Sequence, residues 1–190
     1  LMRERMLADA SAAHGFNYGA LRYFNVAGAD PEGRSGQAGP GATHLIKVAV
    51  EAATGKRDGI AVYGTDLPTP DGTCVRDYIH VSDLAAAHVA ALEKLIAAPK
   101  DSFVLNCGYG HGHSVLEVLN AVDRASGTPL DRRFEGPRAG DAPALVADPA
   151  RLRSTLDWSP SFDDLDRIVA DALAWERSLA ARLDFAGAST

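Results

Sequence analysis

The chain has 190 residues, of which 46% are hydrophobic and 23% charged, and its formal net charge is −6 at pH 7. This composition is that of an ordinary globular protein and excludes a disordered or membrane-embedded chain. The acidic balance also argues against broad binding to nucleic acid, which needs an excess of lysine and arginine. Neither a spanning apolar run nor a signal-peptide pattern occurs. We therefore expect a cytoplasmic protein that binds neither nucleic acid nor membranes.

The chain opens with a predicted helix. Residues 2–14 are rich in good helix formers, with Met2, Met6 and Leu7 at helical spacing, and Gly15 ends the run. Leu1 is neither an initiator methionine nor a capping residue. We therefore expect the chain to begin inside a helix, as a fragment of a larger protein would.

Strands and helices then alternate. The short apolar and aromatic run YGALRYF predicts a buried strand over 18–24, and the Gly- and Pro-rich residues 25–41 predict a long irregular connection. A helix is predicted over 43–55 and a strand over 60–64. The order of these elements indicates an α/β or α+β fold with its ligand site at strand ends.

The middle of the chain predicts one strand, VRDYIHV, over 75–81, followed by an amphipathic helix that Ser82 caps. The apolar stripe of this helix is formed by Leu84, Ala91, Leu92, Leu95 and Ile96.

The last third predicts a strand over 103–107, a turn, and a helix from a Ser114/Glu117 capping box to Ser126. A short helix is predicted to start at Asp148 and Pro149. A long one follows over 161–183.

Several motifs with chemical meaning are absent or incomplete. The turn GYGHG lacks the third glycine of a dinucleotide fingerprint, because His113 stands in its place. His111 and His113 have no third metal ligand near them in sequence, so they are predicted to be an exposed loop pair. Cys74 and Cys107 are expected to be ordinary thiols, and we predict no metal site.

One arginine stands out on physical grounds. Arg76 lies at a loop-to-strand junction, where its guanidinium fork could meet an anion. Asp77 beside it could equally be its salt-bridge partner. The residues alone leave both interpretations open.

Three stretches of sequence resemble one family. DGTCVRDYIHVSDLAAAHVAAL resembles the signature of the UDP-glucose 4-epimerases, which are extended short-chain dehydrogenase/reductases. LRYFNVAGADPEG resembles the strand and loop beside their nicotinamide, and RAGDAPALVADPARLRSTLDWSP resembles their substrate region. The similarity covers nearly the whole chain.

The resemblance implies a Rossmann-type α/β protein in which NAD binds one domain and a UDP-sugar binds a smaller C-terminal domain. This chain would be the C-terminal substrate-binding portion, with an incomplete sheet. Residues 1–28 would be the tail of the NAD-binding domain and 29–190 mostly the substrate domain, with returning Rossmann elements around 77–106. The glycine-rich loop and the catalytic tyrosine and lysine would precede residue 1, so the chain alone is expected to be inactive.

When the family's contacts are carried over by position, those to the nicotinamide, the uridine and part of the diphosphate fall on five residues. Tyr23 and Phe24 would lie near the nicotinamide. Asn25 would hydrogen-bond the diphosphate region of the substrate, while Leu45 and Tyr63 would line the uridine pocket.

The anion contacts fall on two arginines. Arg76 and Arg138 would pair with the diphosphate oxygens, and Asp141 would meet a ribose hydroxyl. His44 stands where many relatives have asparagine, so a hydrogen bond from His44 to a phosphate depends on which ring nitrogen carries the proton. Leu145 matches the position that gates the 2-substituent of the sugar, which leaves tolerance of an N-acetylated sugar open.

By resemblance, the intact enzyme would be a homodimer that interconverts UDP-glucose and UDP-galactose with bound NAD, through a 4-keto intermediate. Two alternatives stay open. One is a stand-alone nucleotide-sugar-binding module, and the other is a related NAD-dependent epimerase or dehydratase acting on another nucleotide sugar.

Overall fold

The computed structural model describes residues 2–99 and 101–187, without the side chains from 180 onward. Leu1, on which the expected start inside a helix depends, lies outside the described residues. The helices are α1 (Met2–His14), α2 (Leu45–Ala53), α3 (Val81–Ala97), α4 (Val115–Ser126), α5 (Ala150–Thr155) and α6 (Leu165–Gly187). The strands are β1 (Gly19–Tyr23), β2 (Asn25–Ala27), β3 (Ile60–Tyr63), β4 (Val75–Arg76), β5 (Tyr78–His80), β6 (Phe103–Cys107), β7 (His113–Ser114), β8 (Arg132–Glu135) and β9 (Ala144–Leu145).

The strands form several small ladders, most of them parallel. β1 pairs with β6, β2 with β5 and β3 with β8, each in parallel. β4 lies between β7, its antiparallel neighbour, and β9, its parallel one. Parallel strands joined through helices are the pattern of an α/β protein. The predicted α/β class is confirmed.

The core is centred on α4, which packs against α2 and α6. Leu119 and Val122 of α4 are fully buried there with Val169 of α6. The predicted capping box is present, since Ser114 Oγ accepts from Glu117 N at 3.0 Å and Glu117 Oε2 accepts from Ser114 N at 2.7 Å. Local sequence signals therefore position this helix correctly.

The prediction of one strand over 75–81 is wrong. The segment divides at Asp77 into β4 and β5, which belong to different sheets. The buried carboxylate of Asp77 accepts backbone amides from two distant segments, and this residue joins the two strands. Those partners are far away in sequence, so the strand pattern did not reveal the break.

The buried face of helix α3 differs from the predicted apolar stripe. Leu84 and Ala91 are buried, but Leu92 and Ile96 are 59% and 71% exposed. The helix buries the face that carries Ala87, and Leu92 follows Ala91 by a rotation of about 100°. The predicted cap is also wrong, because His80 is the N-cap and its Nδ1 accepts from the amide of Ser82 at 3.0 Å.

The first strand, β1, is less buried than predicted. None of the five residues of β1 is buried, and none of those in α1 is. Among the described residues, β1 has one strand neighbour, β6, and packs against α3. An ion pair between Arg22 and Glu4 holds α1 to this strand. Across the part of the chain that the structure describes, no helix is long and apolar enough to cross a membrane.

Candidate functional site

Two cavities meet beside β2 and α2. One, here called the arginine cavity, has a volume of about 440 Å³ and is lined by Arg57, Arg76, Arg133, Arg138, Tyr63 and Asp141, among others. The other, here called the aromatic cavity, has a volume of about 570 Å³, and Tyr23, Phe24 and Trp175 form part of its wall. Asn25, Leu45 and Tyr78 line both cavities. A ligand with an anionic half and an uncharged half could therefore extend from one to the other.

Arg76 and Arg138 reach the arginine cavity from different parts of the chain. Arg76 ends β4, and its Nη1 donates to the carbonyls of Val75 and Ala142, each at 2.8 Å. Arg138 lies in the connection between β8 and β9, and the amide of Asp141 donates to its carbonyl at 3.3 Å. Both arginines line the arginine cavity, and the hydrogen bond to Ala142 joins Arg76 to the connection that carries Arg138.

The predicted base and ribose contacts lie in the same cavity. The Arg138 guanidinium carbon is 3.6 Å from the centre of the Tyr63 ring. Asp141 follows in the same connection and is exposed to solvent. Leu45 begins α2 and contributes an apolar wall. These side chains combine a flat aromatic surface, two cations and a carboxylate acceptor.

Asn25 lies where the two cavities join. Its amide N–H and its side-chain Nδ2 both donate to the carbonyl of Asp77, at 3.2 Å each. These two hydrogen bonds to one carbonyl oxygen fix the direction of the Asn25 side chain. Its oxygen is an acceptor and Nδ2 keeps a second N–H for a ligand.

Tyr23, Phe24 and His44 line the aromatic cavity and not the arginine cavity. Gln37 Nε2 lies 3.0 Å from His44 Nδ1. In the tautomer in which Nδ1 accepts this hydrogen, the ring proton is on Nε2, from which His44 can donate to a ligand.

Leu145 lies beside the arginine cavity and lines neither cavity. It is 47% exposed and stands opposite Arg76 in the register of β9 with β4. The structure therefore places it next to an arginine of the site, with its side chain at the surface.

Asp77 is not the salt-bridge partner of Arg76. Its carboxylate is completely buried and accepts three backbone amides, from Tyr109, Gly110 and Ala147. The Arg76 guanidinium instead donates to the carbonyls of Val75 and Ala142. The structure thus excludes the salt bridge, and an anion contact of Arg76 stays a prediction.

Two further arginines of this cavity were missed by sequence reasoning. Arg57 is fixed by Glu51 Oε2 at 2.6 Å and by the carbonyl of Ala42 at 3.0 Å. Arg133 reaches the cavity from β8, a strand that its polar sequence RRFE did not reveal. The contribution of Arg133 depends on the pairing of β3 with β8, for which no local signal exists.

A buried ion cluster lines the neighbouring wall. Lys47 and Glu176 are 7% and 1% exposed and form an ion pair. Lys56 Nζ lies 2.6 Å from the other oxygen of Glu176. Burial by itself raises the pKa of Glu176, but the hydrogen bonds from the two lysines outweigh it and hold the pKa below its ordinary value. This cluster ties α2 to α6 beneath the aromatic cavity.

The loop histidines are engaged locally. His111 Nε2 lies 2.7 Å from Asp163 Oδ1, and the rings of His111 and His113 are 5.4 Å apart. Within residues 2–99 and 101–187, no group of three His, Cys, Asp or Glu side chains is arranged to hold a metal ion.

Glycine spacing does not build a phosphate cradle in the described residues. The turn GYGHG precedes α4 but lacks the third glycine. A GxxGxxG spacing occurs at Gly33, Gly36 and Gly39, but these residues lie in the connection before α2 and not at a tight turn from a strand into a helix. Gly36 packs against Trp175, since a Cβ there would lie 2.6 Å from its ring. The dinucleotide fingerprint needs strand, turn and helix in direct succession.

Parallel strands with helices between them define a Rossmann-like α/β protein, and a cavity lined by four arginines lies at the end of β4. Residues 1–108 match the model of the NAD dependent epimerase/dehydratase family. The chain belongs to this family, and the family resemblance predicted from the sequence is confirmed.

The chain is similar to several UDP-glucose 4-epimerases. It is 56% identical over 188 residues to the one from Azospirillum brasilense, which covers 99% of this chain and 54% of the relative. The crystal structure of the Brucella ovis enzyme in complex with NAD matches with a TM-score of 0.87 at 46% identity, over 91% of this chain and 53% of that one. The Bifidobacterium longum enzyme in complex with NAD+ and UDP gives 0.86 at 37% identity, over 93% and 52%. The chain thus spans about half the length of the curated relatives it matches.

Proposed function

We propose that this chain is the C-terminal, substrate-binding portion of a UDP-glucose 4-epimerase, and that it supplies the pocket for the UDP-sugar. The observation that carries the proposal is the presence of Arg76 and Arg138 in one cavity with Tyr63 and Asp141. The similarity to UDP-glucose 4-epimerases over nearly the whole chain supports it. The sequence carries no Tyr-x-x-x-Lys pair, so the chain alone is proposed to be inactive.

The cavity offers a specific contact for each part of UDP. The guanidinium groups of Arg76 and Arg138 bind the two phosphates through charge-assisted, bidentate hydrogen bonds. The uracil lies near Tyr63 and Leu45, and Asp141 accepts a ribose hydroxyl. UDP is thereby held firmly at its diphosphate.

The sugar and nicotinamide occupy the region toward the aromatic cavity in this proposal. Tyr23 and Phe24 provide apolar contact for a nicotinamide ring there, with Asn25 and His44 as polar neighbours. These residues fit one end of NAD only, because the described residues form no glycine-rich phosphate cradle. When bound, NAD supplies the hydride acceptor for oxidation at C4 of the sugar. The chain's own residues bind and orient the substrate beside it.

The domain division follows the same proposal. Residues 1–28 form the tail of the NAD-binding domain, and 29–190 are mostly substrate-binding, with returning Rossmann elements around 77–106. Homodimer formation by the intact protein and a cytoplasmic location remain predictions. Tolerance of an N-acetylated sugar depends on Leu145, whose exposed position beside Arg76 leaves space around it.

The test is a calorimetric titration of the 190-residue chain with UDP. We expect weak but saturable binding, with the dissociation constant raised about tenfold or more by Arg76→Ala. Arg124→Ala is the matched control, because Arg124 pairs with Asp166 on the exposed side of α4 and lies outside the arginine cavity. Equal affinity in all three proteins, or no binding at all, would contradict the proposal.

Activity, the strength of UDP binding and nucleotide preference together separate the proposal from its alternatives. We expect no interconversion of UDP-glucose and UDP-galactose by the isolated chain, and measurable turnover would overturn the assignment as a non-catalytic portion. A stand-alone binding module would instead bind UDP tightly as a stable monomer. Preference for another nucleotide in the same titration would favour a related epimerase or dehydratase.

A further inference from the structure

Asp77 is a buried carboxylate that the proposed binding chemistry does not use. It is 0% exposed, and its Oδ1 accepts from Tyr109 N at 3.1 Å. Its Oδ2 accepts from Gly110 N at 3.0 Å and from Ala147 N at 3.2 Å. A carboxylate can satisfy several N–H donors at once, because both of its oxygens only accept. Asp77 therefore binds the turn after β6 and the segment after β9 together.

The backbone of Asp77 is engaged in the same way. Its N–H donates to the carbonyl of Leu145 at 3.2 Å, and its carbonyl accepts both N–H donors of Asn25. Arg76 is its direct neighbour in sequence. Asp77 is thus hydrogen-bonded to Asn25 and to Leu145 of β9, the strand that follows the connection carrying Arg138, and it is the next residue after Arg76.

The packing around this carboxylate leaves it little freedom. A Cβ on Gly108 would lie 2.6 Å from Oδ2 and 2.7 Å from the Cβ of Ala147. The absence of a side chain at Gly108 therefore lets the turn approach Asp77 closely. Small shifts of the carboxylate would break at least one of the three hydrogen bonds that it accepts from backbone amides.

We propose that Asp77 is a positioning residue for the diphosphate clamp. By bonding β4 to the segment that follows β9, it fixes the spacing between Arg76 and the connection bearing Arg138. This inference rests on the proposed function for its effect on UDP. Its structural part, the coupling of the two segments, stands on the hydrogen bonds alone.

Asp77→Asn is the informative substitution because it keeps the shape and changes one acceptor into a donor. With the amide oxygen at the Oδ2 position, the new NH₂ group faces the N–H of Tyr109. With the amide reversed, two N–H donors lose their acceptor instead. Either orientation leaves a buried donor unsatisfied and loosens the junction.

Asp83 provides a matched control. It is 2% exposed and accepts from Ser161 N at 2.8 Å, from Phe162 N at 2.9 Å and from the Tyr109 hydroxyl at 2.6 Å. Asp83→Asn makes the same chemical change in an equally buried carboxylate. Its amide donors belong to the segment before α6, and Asp83 lines neither cavity.

The experiment measures UDP affinity by calorimetry at a temperature at which circular dichroism shows all three proteins to be folded. We expect Asp77→Asn to raise the dissociation constant about tenfold and Asp83→Asn to leave it unchanged. The same loss in both variants, or in neither, would overturn the positioning role.

Amide hydrogen exchange gives a readout that does not depend on UDP. Under native conditions we expect faster exchange at Arg76 and Ala147 in Asp77→Asn than in Asp83→Asn. Unchanged protection there would overturn the inference. If the wild-type chain fails to bind UDP, the proposed function fails, and the exchange data still decide whether Asp77 couples the two segments.

Discussion

Arg138 stacks on Tyr63, with the guanidinium carbon 3.6 Å from the ring centre. A cation over an aromatic face is attracted by the ring, and an arginine also keeps its N–H donors free around the edge of the plane. Tyr63 therefore holds the Arg138 guanidinium flat at the wall of the arginine cavity while its donors remain available to phosphate oxygens.

This contact leads to a prediction about charge and shape. Arg138→Lys keeps the positive charge but loses the planar fork and most of the stacking, so we expect UDP affinity to fall about tenfold. Tyr63→Leu should lower affinity as well, because the guanidinium loses its support. Both are measured by titration with UDP. Full affinity in Arg138→Lys would show that only charge matters at this position.

The orientation of the helices can be tested through stability. Leu119 is 0% exposed in α4, so Leu119→Ala should lower the free energy of unfolding by about 2–5 kcal/mol. Leu92→Ala is the matched control, because Leu92 is 59% exposed on α3 and should change stability by no more than about 0.5 kcal/mol. Urea denaturation measures both. A large loss for Leu92→Ala would mean that α3 faces the core as the sequence had predicted.

The ion cluster between α2 and α6 should be sensitive to removal of its acid. Glu176→Gln removes the nearer carboxylate from the buried Lys47 and leaves it with Glu51, whose Oε1 is 3.4 Å away, so we expect a loss of about 1.5–3 kcal/mol in the free energy of unfolding. Asp166→Asn is the control on the same helix, since its pair with Arg124 is exposed and should contribute less than about 1 kcal/mol. Equal effects in denaturant titrations would contradict the burial of the cluster.

A pH dependence follows from His80. Burial lowers the pKa of this imidazole below its ordinary value of 6.5 and outweighs the nearby carboxylates of Asp171 and Asp83, while Arg167 adds to the lowering. The folded state then binds fewer protons than the unfolded state below pH 6.5. The corresponding stability is fully present above that pH and is lost as the pH falls below it.

His80→Asn tests this linkage. Asparagine can still cap α3 through its side-chain oxygen but does not titrate. We expect the wild-type free energy of unfolding to fall more steeply with acidification below pH 6.5 than that of the variant. Parallel pH profiles would contradict the assignment of the slope to His80.

The sequence was a good guide where the signals are local. The capping box of Ser114 and Glu117 depends on residues three positions apart, and it is present. The long helix predicted over 161–183 is also present, as α6. The break at Asp77 depends on amides of Tyr109, Gly110 and Ala147, which only the folded chain brings near. No local pattern could reveal it.

The same distinction applies to the site. Arg76 could be singled out from the sequence as a possible anion contact, and the family resemblance suggested Arg138 as its partner. Arg133 was not predicted, because its strand has a polar sequence and forms through pairing with β3. Similarly, the exposed sides of β1 and α3 depend on which elements cover them, and a hydrophobic pattern does not encode that.

The most direct test of the account compares UDP with uridine. If Arg76 and Arg138 hold the diphosphate, the wild-type chain should bind UDP at least about a hundredfold more tightly than uridine. In the double variant Arg76→Ala/Arg138→Ala that difference should largely disappear, while uridine binding persists. Equal affinity of the wild-type chain for UDP and uridine would contradict the central claim that this cavity grips a diphosphate.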